Sequence, residues 1–201
     1  MKKEVSNKVT NLSKEHIQDT IIHFADLIVK RNGKKEFISD EHNQVVINHL
    51  ALFYEKVKER SKGIALYGDN GRGKTVLLQA QYLYIKNRYK VSLGYTTETQ
   101  IIQIHKDDDW ITWNNLLNKK VLYIDEIGSK PPKQNKYGET YPMIEFIEQR
   151  AEKKNRLTFC TMNLSLDSGD MSILNIYGGR MHSRMNRIFN KPLFLNGEDK
   201  S

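Results

Sequence analysis

An eight-residue segment, GDNGRGKT at residues 68–75, constrains this 201-residue chain more than any other part of it. It fits the pattern G-x-x-x-x-G-K-[ST] and lies between a short apolar segment that predicts a strand and a segment that predicts a helix. Glycines permit backbone conformations that turn successive N–H groups toward one point, and the start of a helix adds the positive end of its dipole. The segment therefore predicts a phosphate-binding loop rather than a chance glycine-rich turn.

Within this loop, Lys74 is expected to reach the β- and γ-phosphates of a nucleoside triphosphate, and the Thr75 hydroxyl is expected to ligate Mg²⁺. The residues predicted to contact the nucleotide are Gly68, Asp69, Asn70, Gly71, Arg72, Gly73, Lys74, Thr75 and Val76.

A second motif, VLYIDEIG, places two acids after four apolar residues. An acid at the carboxyl end of a buried parallel strand lies where ligands bind in an open α/β sheet. We expect Asp125 to hold Mg²⁺ and Glu126 to polarise the attacking water. A third motif, TFCTMNLS, ends in Thr161 and Asn163. Asn163 is a candidate to hydrogen-bond the attacking water or the γ-phosphate, although an asparagine at a strand end is more often a turn residue.

Strand patterns alternate with helix patterns from about residue 63 onward, which predicts an α/β fold with a parallel sheet of about five strands flanked by helices. Apolar periodicity over residues 13–31 predicts an amphipathic helix before this region. We therefore divide the chain into a short helical N-terminal extension, residues 1–36, and an α/β domain that carries the phosphate loop, residues 37–201.

The formal net charge is +8, carried in part by the segments KVKERSK, KNRYK, KPPKQNK and EKKNR. Such a balance indicates a polyanionic partner, most often nucleic acid, but a solvated lysine-rich surface explains charge alone equally well. One cysteine excludes an internal disulfide framework and a cysteine-based zinc site, and suits the cytoplasm. No run approaches the roughly 20 apolar residues of a membrane span.

The segment YGGRMHSRMNR carries arginines spaced i, i+4, i+7 at Arg180, Arg184 and Arg187, which would share one stripe of a helix. Met181 and Met185 form an apolar stripe beside them. The arginines are therefore expected at the margin of a buried face.

These motifs resemble the AAA+ ATPases of the DnaC/DnaI helicase-loader and IstB group. The matching segments are YGDNGRGKT, VLYIDEIG, YGETYPMIEFIEQRAEKKNRLTFCTMNLS and YGGRMHSRMNRIFNKPLFLNGED, in that order. The resemblance implies ATP as nucleotide, self-association or a helicase-bound ring, and a replicative helicase and single-stranded DNA as partners.

In this family an arginine of the last segment acts in trans on ATP held by a neighbouring subunit. The resemblance gives that role to Arg184, with Arg180 as its companion. An always-charged, forked donor suits the charge of the transition state. The alternative is that these arginines cover a core margin or bind DNA phosphates. The further arginine that many AAA+ proteins carry after this segment has no match here.

DNA contacts are expected in the loop SKPPKQNKYG, where Lys130, Lys133 and Lys136 supply charge and Tyr137 could stack on a base. A solvated loop is an equal alternative. Four functions remain open: a helicase loader, an IstB-like ATPase that assists a transposase on duplex DNA, a small-molecule kinase, and a nucleotide-sensing module. The short N-terminus favours the loader, and the position of the arginines disfavours the kinase.

Overall fold

The computed structural model describes residues 12–135, 139–167 and 169–196. The helices in these ranges are α1 (Lys14–Arg31), α2 (Glu41–Glu55), α3 (Lys74–Arg88), α4 (Glu98–Lys106), α5 (Trp110–Leu117), α6 (Pro142–Glu152) and α7 (Ile173–Ile188). The strands are β1 (Ala65–Tyr67), β2 (Leu93–Thr97), β3 (Val121–Ile127), β4 (Gln134–Asn135), β5 (Glu139–Thr140), β6 (Leu157–Met162) and β7 (Leu193–Phe194). None of the described helices is long and apolar enough to cross a membrane.

Five strands form one sheet in the order β2-β3-β6-β1-β7, and every pair of neighbours is parallel. The predicted α/β class and the parallel sheet of about five strands are therefore confirmed. Because all strands run the same way, their carboxyl ends meet at one edge of the sheet and their amino ends at the other. We call these the carboxyl edge and the amino edge.

Helices cover both faces of the sheet. Along β3, Val121 and Tyr123 belong to an apolar cluster with α1, α2 and α3, whereas Leu122 and Ile124 belong to a second cluster with α4 to α7. Alternate residues of a strand point to opposite faces, so a strand buried on both sides reads as a continuous apolar run. This explains why VLYI in the sequence shows no alternation of polar and apolar residues.

The N-terminal helix α1 packs on α2 and α3 rather than standing apart from them. Its residues Ile17, Ile21 and Ala25 are buried in the apolar cluster that also contains Val121 and Tyr123 of β3. The division of the chain after residue 36 stays a prediction, and this apolar cluster includes residues on both sides of it.

Helix α7, which carries the arginine stripe, begins at Ile173. Ser172 caps it by accepting a hydrogen bond from the Asn175 N–H at 3.2 Å, which ends a loop that follows β6. At Gly178 the backbone takes φ 83° and ψ 169°, which interrupts the helix before the arginine stripe. The loop predicted after the acid pair contains the antiparallel hairpin β4–β5.

Candidate nucleotide site

The predicted phosphate loop connects β1 to α3 at the carboxyl edge. Three of its glycines adopt positive φ: 144° at Gly68, 74° at Gly71 and 84° at Gly73. A Cβ at Gly68 would lie 2.3 Å from the carbonyl oxygen of Leu195, so the close approach of β7 also requires glycine there. The loop thus has the backbone conformation that only this glycine pattern tolerates.

Lys74 opens α3 and is only 8% exposed. Its Nζ donates hydrogen bonds to the carbonyl oxygens of Gly68 at 2.7 Å and Asp69 at 2.6 Å. Burial lowers the pKa of Lys74, and the charges of Asp69 and Asp125 oppose that shift. Among the described residues this ammonium forms no ion pair, so the loop holds a buried cation whose charge an anion such as phosphate would compensate.

Asp125 lies at the carboxyl end of β3 and accepts hydrogen bonds from three hydroxyl groups. Thr75 donates to its Oδ1 at 3.1 Å, Tyr95 donates to its Oδ2 at 2.7 Å, and Thr161 donates to its Oδ1. The two predicted magnesium ligands, Thr75 and Asp125, are therefore adjacent. A carboxylate beside a hydroxyl is the oxygen donor set that Mg²⁺ prefers, so these residues fit that ion.

Glu126 follows on the same strand with an exposed side chain and a φ of 62°. Its N–H donates to Thr161 Oγ1 at 2.8 Å, and the register between β3 and β6 shifts at this point. Bulges in strands re-aim side chains, and a positive φ outside glycine persists only where the surroundings enforce it. This backbone conformation turns Glu126 into the cleft described next.

A cleft of about 1070 Å³ opens over the phosphate loop. Glu126, Thr161 and Asn163 line it together with residues 70–76, so three separate sequence motifs meet at one cavity. Gly68, Asp69 and Asp125 do not line it, but they form hydrogen bonds with Lys74 and Thr75, which do. Residues 34–38 and 40–42, from the connection between α1 and α2 and the start of α2, form another wall of the cleft. Sequence reasoning missed that wall, since it carries no motif.

Sequence reasoning also missed Glu98, the first residue of α4, which is fully buried. Its carboxylate accepts hydrogen bonds from the N–H groups of Gly128, Ser129 and Lys130, from the Ser129 hydroxyl, and at 2.7 Å from the hydroxyl of Tyr177. Burial raises the pKa of Glu98, and the donors act in the opposite direction. Its place directly after a strand is the one signal in the sequence that could have found it.

Comparison with solved structures identifies the fold. No protein-family model matches the sequence, and no curated protein sequence matches it. A candidate primosome component from Streptococcus pyogenes serotype M3 superposes with a TM-score of 0.64 at 20% identity, covering 82% of this chain and 85% of that one. A DnaC helicase loader superposes with a TM-score of 0.63 at 21% identity, covering 80% of this chain and 93% of that one. The replication initiator DnaA bound to AMPPCP and single-stranded DNA gives 0.60 at 19% identity, covering 82% of this chain and 49% of that one.

The chain has the AAA+ fold. The resemblance inferred from the motifs is thereby confirmed at the level of structure. In this AAA+ fold the phosphate loop and the asparagine follow β1 and β6, and the acid pair lies near the end of β3. These three strands are adjacent in the sheet. That adjacency brings the three motifs to one cleft.

The arginine stripe lies on the second part of α7, after Gly178, and its neighbours Met181 and Met185 are fully buried. Arg180 forms an exposed ion pair with Glu148 of α6, in which Arg180 Nη2 lies 2.7 Å from Glu148 Oε2. Arg184 is half-buried and Arg187 is exposed. None of the three lines the cleft of its own chain. The roles of Arg184 and Arg180 stay predictions.

The predicted DNA-contact loop is described only in part. Lys130 and Lys133 are exposed, and the main chain of Lys130 both donates to Glu98 and accepts from Tyr177. Lys136 and Tyr137 lie outside the described residues. The assignment of this loop to DNA stays a prediction.

Proposed function

We propose that this chain binds ATP with Mg²⁺ in the cleft over the phosphate loop and hydrolyses it when subunits assemble. The observation that carries the proposal is the convergence of Lys74, the Thr75–Asp125 pair, Glu126 and Asn163 on one cavity. Three motifs separated by dozens of residues meet there, in the arrangement that phosphoryl transfer requires.

The side chains suggest how the work is divided. Lys74 exchanges the carbonyl oxygens of Gly68 and Asp69 for phosphate oxygens, and Thr75 and Asp125 hold the ion. Bound Mg²⁺ supplies neutralisation of charge on the phosphates. Glu126, exposed to the cleft, orients the attacking water and accepts its proton, while Asn163 hydrogen-bonds that water or the γ-phosphate.

An arginine for the transition state has to come from a neighbouring subunit in this proposal. No arginine of the stripe reaches the cleft of its own chain, and Arg184 forms no ion pair within the described residues. Arg180 is engaged by Glu148, so Arg184 is the better candidate and Arg180 supports it. Such an arginine supplied in trans is worth about 10³–10⁵ in rate.

Mixing two inactive variants tests this assignment. We expect Arg184→Ala to bind ATP normally and lose about 10³-fold or more in turnover, and Lys74→Ala to lose nucleotide binding while keeping Arg184. Turnover should return when the two proteins are mixed, because the Lys74→Ala subunit then presents Arg184 to ATP held by the other. Turnover of each variant and of the mixture is measured as steady-state release of phosphate.

Arg187→Ala is the matched control, since Arg187 lies on the same helix but is exposed, and it should keep wild-type turnover. If Arg184→Ala alone hydrolyses ATP as fast as the wild type, the trans role is wrong. If single variants are inactive and the mixture stays inactive, Arg184 acts within its own chain.

For the biological role we propose a DnaC-like helicase loader in the cytoplasm that couples its ATP state to a replicative helicase and single-stranded DNA. Support comes from the superposition on a DnaC helicase loader and on DnaA carrying single-stranded DNA. A pull-down with the host's replicative helicase, with and without ATP, tests it, and we expect ATP-dependent capture. Capture of a transposase instead would favour the IstB-like alternative.

A further inference from the structure

The amino edge of the sheet is formed by the five loops that precede the parallel strands. These loops are residues 60–64 before β1, 89–92 before β2, 118–120 before β3, 153–156 before β6 and 189–192 before β7. None contains an aspartate or glutamate. Their cations are Arg60, Lys62, Lys90, Lys119, Lys120, Lys153, Lys154, Arg156 and Lys191, which together we call the basic edge.

The cations of the basic edge have no carboxylate partners among the residues that the structure describes. Within the described part of the chain, none of the basic edge forms an ion pair. Arg60 lies over the ring of Phe53, 5.6 Å from its centroid, and Lys62 Nζ donates to the carbonyl oxygen of Asn186 at 2.8 Å. Lys90, Lys120 and most of the others are exposed to solvent. The charge of this edge is therefore uncompensated.

Helix dipoles account for only a small part of this charge. Helices α3, α5, α6 and α7 each lead into one of these loops, so their carboxyl ends lie at the same edge. A helix end carries about half a negative charge, which gives roughly two for the four helices. The basic edge carries several times more positive charge than its helix ends require.

Two arginines at this edge, Arg150 and Arg156, have buried side-chain nitrogen atoms. Arg150 is 1% exposed and donates to the carbonyl oxygens of Leu117, Lys119 and Leu157. Burial, followed by the charge of Arg156, lowers the pKa of Arg150 to about 9. The Nε of Arg156 is buried without a hydrogen-bond partner. An anion bound here would relieve the repulsion between the two guanidinium groups.

We propose that the basic edge binds the phosphate backbone of duplex DNA, at a surface separate from the nucleotide cleft. Strands lie about 4.8 Å apart, so the five loops span roughly 19 Å. Duplex DNA carries a negative charge about every 1.7 Å along its axis, which matches a continuous row of cations. In these loops Val91 is the sole exposed large hydrophobic side chain, so the surface offers little apolar area to a protein partner or a membrane.

The side chains of these loops indicate DNA contact that does not depend on the base sequence. Phe189 is buried and Tyr89 is half-buried, so the edge presents no aromatic platform on which the bases of a single strand would stack. Lysines bind phosphate as point charges and do not distinguish bases. The inference goes beyond the proposed function and does not depend on it, because it requires no nucleotide.

The test removes charge from two neighbouring loops in a Lys120→Gln, Lys154→Gln double variant. Binding to a fluorescent mixed-sequence duplex of about 25 base pairs is measured by anisotropy without nucleotide, from roughly 0.05 to 0.3 M salt. Each phosphate contact adds about 0.9 to the slope of log K against log salt, so the slope should fall by about 1.8. At 0.1 M salt the same two contacts correspond to a loss of about 60-fold in affinity.

A Lys30→Gln, Lys106→Gln variant removes the same charge at exposed positions in the last turns of α1 and α4, outside the five loops, and should keep the wild-type slope. Unchanged melting temperature and AMPPCP affinity of the first variant show that it is folded. A wild-type slope in that variant overturns the proposal, and so does an equal loss in both variants. A larger loss of single-strand binding than of duplex binding in the Lys120→Gln, Lys154→Gln variant, or displacement of DNA by polyglutamate at equal charge concentration, would also overturn it.

Discussion

The two edges of the sheet are built on opposite plans. At the carboxyl edge the charged groups are held by neutral hydrogen-bond partners: Asp125 accepts from three hydroxyls, and Lys74 donates to two carbonyl oxygens of its own loop. At the amino edge most of the cations are exposed to solvent, and no carboxylate among the described residues pairs with them. A site for one small ligand needs fixed geometry, whereas a surface for a polymer needs charge density. The small-ligand site depends on individual hydrogen bonds, and the polymer surface depends on the sum of its charges.

The one fully buried charge described at each edge, Glu98 and Arg150, is held in a similar way. Glu98 is held by five hydrogen-bond donors from the loop after β3 and from α7. Arg150 is held by carbonyl oxygens, including those at the end of α5, which a helix leaves without partners. Burial raises the pKa of Glu98 and lowers that of Arg150, so each is shifted toward its neutral form. Among the described residues neither has a counter-ion; backbone groups and hydroxyls satisfy both.

Replacing Lys74 of the phosphate loop should have the largest effect on binding at the carboxyl edge and no effect on binding at the amino edge. In Lys74→Ala the buried ammonium is lost, and we expect ATP affinity to fall by about 100-fold or more, from the strength of hydrogen bonds between charged groups. The salt slope for duplex DNA should not change, since the basic edge is intact. Titration with a fluorescent ATP analogue and the anisotropy measurement check the two halves.

Lys106→Ala serves as the control, because Lys106 is an exposed lysine at the end of α4. It should leave ATP affinity unchanged. If Lys74→Ala binds ATP like the wild type, the assignment of the cleft is wrong. If it also loses duplex binding, the two edges are not independent.

A smaller effect is expected when the hydroxyl of Tyr95, which donates to Asp125 from β2, is removed. Burial and the charge of Asp125 raise the pKa of Tyr95, so its hydroxyl stays protonated and donates. In Tyr95→Phe we expect the Mg²⁺ concentration for half-maximal nucleotide binding to rise about tenfold, the value of one hydrogen bond to a charged group. Affinity measured without Mg²⁺ should stay the same. A calorimetric titration at several Mg²⁺ concentrations separates the two quantities.

Tyr82→Phe is the matched control, since the Tyr82 ring packs edge-on against Tyr95 and has no described hydrogen bond from its hydroxyl. It should keep the wild-type Mg²⁺ requirement. An unchanged requirement in Tyr95→Phe would show that Asp125 is held well enough by Thr75 and Thr161.

The contrast between the edges also shows what the sequence could reveal. The phosphate loop was predictable because glycine, lysine and threonine must follow one another along the chain. Glu98 was not, because its partner Tyr177 lies 79 residues away and meets it only through packing. The basic edge was visible as scattered segments such as EKKNR and KNRYK. Their convergence depends on each one preceding a parallel strand, and strand order is set by long-range pairing that no local pattern encodes.

The finest distinction between the two edges is their response to pH. Because the pKa of Glu98 is raised in the folded chain, folding takes up a proton between the ordinary value of 4.5 and the raised one. The stability this group contributes is therefore present below pH 4.5 and is lost as pH rises through the folded pKa. Arg150, with a pKa of about 9, stays protonated over that window and adds no slope.

Comparison of the wild type with a Glu98→Gln variant should reveal this dependence of stability on pH. Glutamine can accept from the three N–H groups with its oxygen and donate to the Tyr177 hydroxyl with its nitrogen, but it does not titrate. We expect the free energy of unfolding of the wild type to exceed that of the variant most at acid pH, with the gap narrowing toward neutral pH. Urea unfolding across this range measures it, and Glu152→Gln, at an exposed position, should show no change of gap with pH. A gap that is constant or widens with pH would mean that the five donors outweigh burial. In that case the carboxyl edge stabilises its buried charge better than the amino edge does.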